Sequence, residues 1–311
     1  MAPARLIPLD HKAFAGLPVQ MMTIGRAGEQ MAVHVSGEIG RGHLPVVCVA
    51  GYHRNMADYA DFRRLAAQAL GEVWPIVLVD LKGRGRSSDR PKAAKYSSLN
   101  DADDLIEVAR GLAIDRAIFI GQGYGGQVLM ALAAARPSLN GGTVLLDSGP
   151  VSDSRGLVRL RSTLNDLTGV RGETSIRPML RRMIAADYPA LGEGALDVLA
   201  MRTHYVDKRG RLLPLFDPAL IKLLEQFTLD DVLVAQWPFF EALNPAPLLM
   251  MRTQRTQQLR RETFEEMMKR RRDAEAYIIE QQGSPPLLES IEDVQPIVDF
   301  IVKTVAQRRA A

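Results

Sequence analysis

The chain has 311 residues, of which 47% are hydrophobic and 24% charged, so it can bury a sizeable core. Lys and Arg number 39 against 36 Asp and Glu, and a net charge of +3 over this length gives no reason to expect a nucleic-acid partner. The single cysteine, Cys48, excludes an internal disulfide framework and a cysteine metal cluster. Residues 1–20 do not resemble a secretory leader and no apolar run reaches membrane-spanning length, so we expect a cytoplasmic protein without a membrane partner.

Apolar runs typical of strands alternate with amphipathic stretches of helical length through the first half of the chain. The predicted strands are Gln20–Ile24, Met31–Ser36, Leu44–Ala50, Val73–Asp80, Ala117–Ile120 and Gly141–Asp147. The predicted helices between them are Asp58–Leu70, Leu99–Leu112 and Tyr124–Ala135. Buried strands separated by helices indicate an α/β fold with a mostly parallel central sheet that is flanked by helices on both faces.

The alternation stops after the strand that ends at Asp147. Up to about residue 243 only helical patterns occur, at Gly156–Leu167, Ile176–Ala186, Gly194–His204 and Asp217–Phe227. The alternation then resumes with the strand Ala246–Met251, the helix Arg260–Arg271, the strand Ala276–Gln281 and the helix Ile291–Ala306. We therefore predict a core formed by residues 1–150 and 240–311, with a helical cap of residues 151–239 inserted after the sixth strand.

A glycine-rich turn, Gly121–Gly126, joins a predicted strand to a predicted helix and has two interpretations. Gly121, Gly123 and Gly126 match G-x-G-x-x-G, in which a helix amino end and bare backbone N–H groups hold a dinucleotide. Gly121 and Gly125 also match the two glycines of the nucleophile elbow, G-x-S-x-G, with Gly123 in place of the serine. The dinucleotide fingerprint normally opens its domain, whereas this turn follows several strands, which favours the elbow.

The order of these motifs resembles the α/β-hydrolase superfamily, in the capped branch that contains esterases, meta-cleavage-product hydrolases and epoxide hydrolases. Residues 50–55 resemble the oxyanion loop, 80–87 the D-x-R-G-x-G-x-S loop, and 121–126 the elbow. Residues 145–150 resemble the end of the sixth strand, 247–252 the seventh strand, and 283–287 the loop that carries the family's histidine. The resemblance covers nearly the whole chain and implies the α/β-hydrolase fold.

The three catalytic positions implied by this resemblance hold residues that cannot carry the family's chemistry. Gly123 stands at the serine position, Gln257 aligns best with the acid, and Ser284 stands at the histidine position. No Asp or Glu occurs between Asn244 and Arg261, and the last histidine in the chain is His204. The chain therefore lacks the nucleophile and the usual general base, and we predict a degenerate triad.

Four other residues are expected to line the pocket beside the elbow. The resemblance implies that Tyr52 and Tyr124 supply backbone N–H groups of an oxyanion hole. His53, in the same loop as Tyr52, is a candidate substitute base, although a histidine with a purely structural hydrogen bond is the simpler interpretation. Asp147 stands where some relatives carry the triad acid, and without a histidine to orient we expect it to make structural hydrogen bonds.

These observations predict a non-catalytic homologue, a pseudoenzyme, that binds a small apolar ligand or a protein partner. The first alternative is a hydrolase of esters or related bonds with displaced catalytic groups, His53 and Asp147. The second is a nucleotide-binding protein that uses the Gly121–Gly126 turn. We expect no cofactor and no metal, since no histidine or cysteine cluster has ligand spacing. A homo-oligomer is compatible with the sequence.

Overall fold

The computed structural model describes residue 7 and residues 11–25, 28–40, 42–91 and 95–310. Its first half alternates strands with helices, as the sequence predicts. The strands are β1 (Gln20–Ile24), β2 (Glu29–Ser36), β3 (Val46–Val49), β4 (Ile76–Val79), β5 (Ala117–Gln122) and β6 (Asn140–Leu146). The helices are α1 (Ala60–Leu70), α2 (Ser98–Gly111) and α3 (Tyr124–Ala135), with short 3-10 turns at Lys12–Phe14, Met56–Tyr59 and Pro137–Leu139.

The segment that follows β6 forms a cap of short helices. It comprises α4 (Ser154–Leu167), α5 (Glu173–Ile184), α6 (Glu193–Ala200), β7 (His204–Val206), β8 (Leu212–Pro214), α7 (Ala219–Leu223), a 3-10 turn (Leu224–Gln226) and α8 (Trp237–Glu241). The chain then returns to the core with β9 (Leu248–Thr253), α9 (Arg261–Arg270), β10 (Glu275–Ile279) and α10 (Ile291–Ala310). Among the described residues, no helix combines the length and the apolar character needed to cross a lipid bilayer.

One element of the cap differs from the helical prediction. β7 and β8 form an antiparallel hairpin, and His204, which the sequence places at a helix end, begins its first strand. The turn has chemistry that periodicity does not detect: the Asp207 carboxylate accepts hydrogen bonds from the backbone N–H groups of Arg209 and Arg211, both at 2.9 Å. Gly210 completes the turn with a φ of 69°. The cap is therefore helical with one small hairpin.

The core is an eight-stranded sheet in the order β1-β2-β4-β3-β5-β6-β9-β10. Six adjacent strands of this sheet, β4, β3, β5, β6, β9 and β10, run parallel to one another. β2 runs antiparallel to both β1 and β4. Side chains of each strand alternate between the two faces, so that Val46 and Cys48 pack on one side and Val47 and Val49 on the other. This is the fold that the resemblance implies.

The parallel strands bring several loops to one edge of the sheet, because their carboxyl ends all point the same way. The loops after β3, β5, β6 and β9 meet there under the cap. These loops carry the residues that the sequence singles out: Tyr52, His53, Gly123, Tyr124, Asp147 and Gln257.

Candidate functional site

A cavity of about 510 Å³ lies between this edge of the sheet and the cap. The cap supplies mainly apolar side chains: Val151, Leu157, Leu160, Leu223, Leu224, Phe227, Leu233 and Phe239. The core supplies polar residues from the loops after β3, β5 and β6: Tyr52, His53, Arg54, Gln122, Tyr124, Asp147 and Ser148. A cavity of this size, with an apolar wall on one side and a few convergent polar groups on the other, is typical of small-molecule sites.

The turn between β5 and α3 has the backbone of a nucleophile elbow. Gly123 adopts a φ of 50° and a ψ of −115°, which L side chains rarely adopt, and its N–H donates to the Leu146 carbonyl at 2.8 Å. Gly125 lies so close to β3 that a Cβ there would stand 2.3 Å from the Val49 carbonyl oxygen. A Cβ on Gly126 would stand equally close to the Ser148 hydroxyl. Packing of α3 against the sheet thus accounts for the glycine spacing without a nucleotide.

The elbow presents no side chain of its own to the cavity. A Cβ built on Gly123 would stand 2.5 Å from Oε1 of Gln258, so the end of this long side chain lies beside the elbow. Gln258 is an exposed residue of the loop after β9 and also lines the cavity. The sequence analysis missed Gln258, because only the path of that loop decides which of its side chains turns toward Gly123.

Asp147, Thr253, Thr256 and Ser284 form a closed network next to the elbow, which we call the closed half of the site. The Asp147 carboxylate accepts hydrogen bonds from the backbone N–H and the hydroxyl of Thr253, each at 2.7 Å, and from the hydroxyl of Ser284. The hydroxyls of Thr256 and Ser284 are 3.0 Å apart. Every side chain of the closed half therefore has a protein partner.

The network shows which residues contact the position where the family carries its histidine. Ser284 contacts Asp147 at the end of β6 and Thr256 in the loop after β9. Gln257, the residue that aligns best with the acid, is exposed, and the described residues form no hydrogen bond with its side chain. The structure thus joins Asp147 to Ser284 and does not bring Gln257 to either of them.

Burial governs the charge of Asp147. The residue is only 1% exposed, and burial raises the pKa of its carboxyl group to about 6, although the hydrogen bonds from Ser284 and Thr253 act in the opposite direction. Asp147 also adopts a φ of 48°, a left-handed conformation that Asp and Asn tolerate better than most residues. In this geometry the Asp147 carboxylate accepts its hydrogen bonds from Thr253 and Ser284.

Tyr52, His53, Gln122, Gly123 and Tyr124 line the cavity on the other side of the elbow, and we call them the open half of the site. The backbone N–H of Tyr124 is the first of α3, where helical N–H groups have no partner within the helix. Neither this N–H nor that of Tyr52 donates a hydrogen bond to a residue that the structure describes. The two donors that the resemblance assigns to an oxyanion hole are thus both available.

The side chains of the two tyrosines anchor this part of the site to the rest of the protein. The Tyr52 hydroxyl donates to the Leu220 carbonyl of the cap at 3.0 Å, and the Tyr124 hydroxyl donates to the Asp101 carboxylate at 2.8 Å. The two rings meet edge to face at 5.4 Å, and the buried Arg84 guanidinium lies over both. These contacts hold the backbone of the open half in place.

Two polar side chains of the open half lack hydrogen-bond partners among the described residues. His53 packs edge to face against Phe216, and its Nδ1 is buried without a partner. Burial lowers the pKa of His53 well below its usual value, and the charge of Arg54 adds to this effect, so the imidazole is neutral. Gln122 is 4% exposed, and its Oε1 is likewise buried without a partner. No hydrogen bond joins His53 to Asp147 within the described chain.

Comparison with known proteins supports the assignment of the fold. Residues 46–296 match the model of the alpha/beta hydrolase family. The 2-hydroxymuconate semialdehyde hydrolase of Pseudomonas sp. (strain CF600) is 28% identical over 210 residues, which are 59% of this chain and 72% of that protein. A 2-hydroxy-6-oxononadienedioate/2-hydroxy-6-oxononatrienedioate hydrolase of Cupriavidus pinatubonensis is 28% identical over 192 residues, 60% of this chain and 66% of that protein.

A solved structure extends this similarity to nearly the whole chain. An alpha/beta hydrolase from Novosphingobium aromaticivorans superimposes with a TM-score of 0.79 at 26% identity and covers 92% of this chain and 98% of that one. This match supports the fold and carries no information about a substrate. Given a family match over most of its length and the sheet order described above, the chain belongs to the alpha/beta hydrolase family.

Proposed function

We propose that this protein is a non-catalytic member of the alpha/beta hydrolase family that binds a small, largely apolar molecule in the cavity under the cap. The observation that carries the proposal is Gly123 at the centre of the elbow, where the backbone has the required turn and no side chain is present. An acyl-enzyme needs an oxygen or sulfur nucleophile at this position, and glycine offers neither.

The closed half of the site supports the same conclusion. Ser284 cannot act as the general base that the family's histidine provides, because a hydroxyl has no useful basicity near neutral pH. Its hydroxyl is already committed to Asp147, and the cavity wall includes Asp147 but not Ser284. The side chains that would move protons are therefore replaced by a network that serves the protein's own hydrogen bonds.

The cavity itself supports ligand binding. Its volume of about 510 Å³ lies within the range of small-molecule pockets, and the cap lines it with leucine, valine and phenylalanine side chains. Burial of about 100 Å² of a ligand's apolar surface there would contribute roughly 2–3 kcal/mol. A site without catalytic groups can thus still hold an apolar molecule.

Hydrolysis by displaced groups is the second candidate, because the relatives named above are hydrolases and both His53 and Asp147 line the cavity. In this alternative a neutral His53 would accept a proton from an attacking water. Among the described residues, no carboxylate forms a hydrogen bond that would orient the His53 ring, and its depressed pKa makes it a weak base. We therefore rank this candidate below ligand binding.

The test compares the wild-type protein with the double variant Gly123→Ser/Ser284→His on a panel of p-nitrophenyl and thioesters. Asp147 already contacts position 284, so the double variant has all three parts of a triad. We expect wild-type rates equal to those of buffer, and rates at least 100-fold higher in the double variant, the scale of general base catalysis.

The control adds Asp147→Asn to the double variant, which should abolish most of the gain if Asp147 orients the new histidine. Native mass spectrometry of the untreated wild-type protein supplies the binding readout, with a bound small molecule as the expected result. Wild-type hydrolysis that His53→Ala removes would overturn the proposal in favour of displaced catalytic groups.

A further inference from the structure

Gln258 places an amide beside the position that Gly123 leaves empty. A Cβ built on Gly123 would stand 2.5 Å from Oε1 of Gln258, which is too close for a stable contact. Any side chain at residue 123 would therefore displace this amide. The end of Gln258 can lie at the elbow only because the elbow residue is glycine.

The backbone of Gln258 is held in place, whereas its amide is unpaired. The Gln258 N–H donates to the Thr256 hydroxyl at 3.1 Å, and that hydroxyl is 3.0 Å from the hydroxyl of Ser284. The Gln258 side chain forms no hydrogen bond with the described residues, and it is exposed and lines the cavity. A ligand can therefore use both the carbonyl and the NH₂ group of this amide without breaking a protein hydrogen bond.

The other glutamines of the cavity wall are less available to a ligand. Three of them donate their side-chain amides to protein groups at 2.8–3.2 Å, namely Gln127, Gln226 and Gln236. Gln122 is only 4% exposed, so its amide is largely closed to the cavity. Gln258 differs from these four residues because its amide is both accessible and unpaired.

The charges at the elbow favour a ligand whose polar end is neutral. The Arg54 guanidinium in the cavity wall is paired with the Asp58 carboxylate, at 2.7 Å for the Nη2–Oδ1 contact. Asp147 accepts its hydrogen bonds from the uncharged residues Thr253 and Ser284, so its charge disfavours a second anion nearby. The amino end of α3 begins at the same elbow, and the positive end of its dipole disfavours a cation.

The cap places apolar side chains next to the loop that carries Gln258. A Cβ built on Gly156 of α4 would stand 3.4 Å from the Gln257 carbonyl oxygen, so α4 packs directly against this loop. Leu157 and Leu160 of the same helix line the cavity. One small ligand can therefore contact Gln258 with its polar end and α4 with its apolar body.

We propose that Gln258 is the polar recognition residue of the cavity, and that the ligand is a neutral molecule with a primary carboxamide at one end and an apolar body. The ligand's NH₂ group donates to Oε1 of Gln258, and its carbonyl oxygen accepts from Nε2. Two facing amides satisfy a donor and an acceptor on each side, which neither a carboxylate nor an ammonium group can do. This inference rests on the proposed function, since it assigns the ligand class of the same cavity.

The experiment is calorimetric titration at pH 7.5 with three probes that share one apolar body: 4-phenylbutanamide, 4-phenylbutanoate and 4-phenylbutan-1-amine. We expect the carboxamide to bind about 10-fold more tightly than either charged probe, the scale of one or two uncharged hydrogen bonds. Equal affinities, tighter binding of a charged probe, or no heat with any of the three would overturn the assignment. Mass spectrometry of the recovered carboxamide separates this inference from the proposed function, because only hydrolysis of the probe would overturn the latter.

A pair of variants locates the polar end of the ligand. Gln258→Met keeps the length of the side chain and removes its donor and acceptor, so we expect about a 10-fold loss of affinity for the carboxamide and less than about a 2-fold change for the charged probes. Gln257→Met is the matched control, because Gln257 is the adjacent exposed glutamine and does not line the cavity. An equal loss for all three probes in Gln258→Met, or the same loss in Gln257→Met, would contradict the placement.

Gly123→Ala tests whether the empty elbow gives Gln258 its position. The added Cβ displaces the amide, so we expect this variant to lose affinity for the carboxamide as Gln258→Met does. The double variant Gly123→Ala/Gln258→Met should lose no more than the larger single loss, because both changes remove the same interaction. Additive losses would contradict the coupling of the two residues. The wild-type ranking tests the inference even if a variant does not fold.

Discussion

The closed half and the open half of the site lie on opposite sides of one glycine and differ in how their polar groups are paired. In the closed half, the Asp147 carboxylate accepts hydrogen bonds from Thr253 and Ser284, and the hydroxyls of Ser284 and Thr256 are hydrogen-bonded to each other. In the open half, His53 and Gln122 each have a buried polar atom without a partner among the described residues. The side chains of the closed half are thus hydrogen-bonded to one another, whereas the open half also has two backbone N–H groups, those of Tyr52 and Tyr124, without a partner among the described residues.

This difference fits the proposed function, in which the cavity binds a ligand and does not hydrolyse it. Proton transfer requires particular side chains, and the residues at positions 123 and 284 cannot supply it. Backbone N–H groups, such as the first N–H of α3, can bind an oxygen atom, and the fold provides them whatever the side chains are. Under the proposed function, loss of the nucleophile and the base therefore leaves the backbone of the elbow unchanged.

We expect the largest change in the free energy of unfolding from a substitution at Asp147. Its carboxylate is hydrogen-bonded, but burial makes its negative charge unfavourable. In the unfolded chain this carboxyl titrates near its ordinary value of about 4, and in the folded protein near 6. The raised pKa means that the folded state binds the proton more tightly. The group therefore costs no stability below pH 4, costs progressively more from pH 4 to pH 6, and costs about 3 kcal/mol above pH 6.

Asp147→Asn removes this charge and keeps a side chain that tolerates a positive φ. We expect the free energy of unfolding to rise by up to about 3 kcal/mol at pH 8 and to change little at pH 4.5. Urea unfolding at both pH values measures the difference. Asp153→Asn is the control: the hydrogen bond from Arg260 lowers the pKa of Asp153, so the same substitution there should reduce stability at pH 8. A pH-independent effect of Asp147→Asn would contradict the assignment.

The second prediction concerns the contribution of the Thr253 hydroxyl to the free energy of unfolding. Thr253→Val removes the hydroxyl that donates to Asp147 at 2.7 Å while it keeps the shape of a fully buried residue. Because this hydrogen bond is to a charged group, we expect the free energy of unfolding to fall by about 2 kcal/mol at pH 8. The loss should be smaller at pH 4.5, where the carboxyl group is protonated.

Thr304→Val is the matched control for this prediction. Thr304 is also buried, at 4% exposure, but its hydroxyl oxygen has no hydrogen-bond partner in the described part of the chain. The same replacement of a hydroxyl by a methyl group should therefore leave the free energy of unfolding unchanged or raise it slightly. Equal losses at the two threonines would show that the closed half gains no stability from the Thr253 hydrogen bond.

Much of the fold could be predicted from the sequence, because buried parallel strands are nearly continuous apolar runs. The position of the elbow followed from the glycines, which a close approach between α3 and β3 requires at Gly125. The absence of a histidine after residue 204 could likewise be read without coordinates. The hairpin at His204–Pro214 could not be predicted by periodicity, since its strands are three residues long and its turn depends on Asp207.

The pairing within the site could not be predicted either. In the loop after β9, Thr256 turns toward Ser284, Gln257 is exposed, and Gln258 reaches the elbow. Three consecutive polar residues differ only in where the backbone points them, and sequence alignment cannot distinguish a shift of one position. The unpaired state of Gln122 is also invisible in sequence, because it depends on which groups the other loops bring within reach.

The smallest effect on stability is expected at Gln122, in the open half. Gln122→Met removes a buried oxygen that has no partner within the described residues and replaces it with an apolar side chain of similar length. Removal of a partner from a paired group costs stability, whereas removal of an unpaired buried group relieves a desolvation penalty. We expect the free energy of unfolding to stay equal or to rise by up to about 1 kcal/mol, as measured by urea denaturation without ligand. A clear loss of stability would mean instead that Gln122 has a partner within the protein, and that the two halves are more alike than the structure indicates.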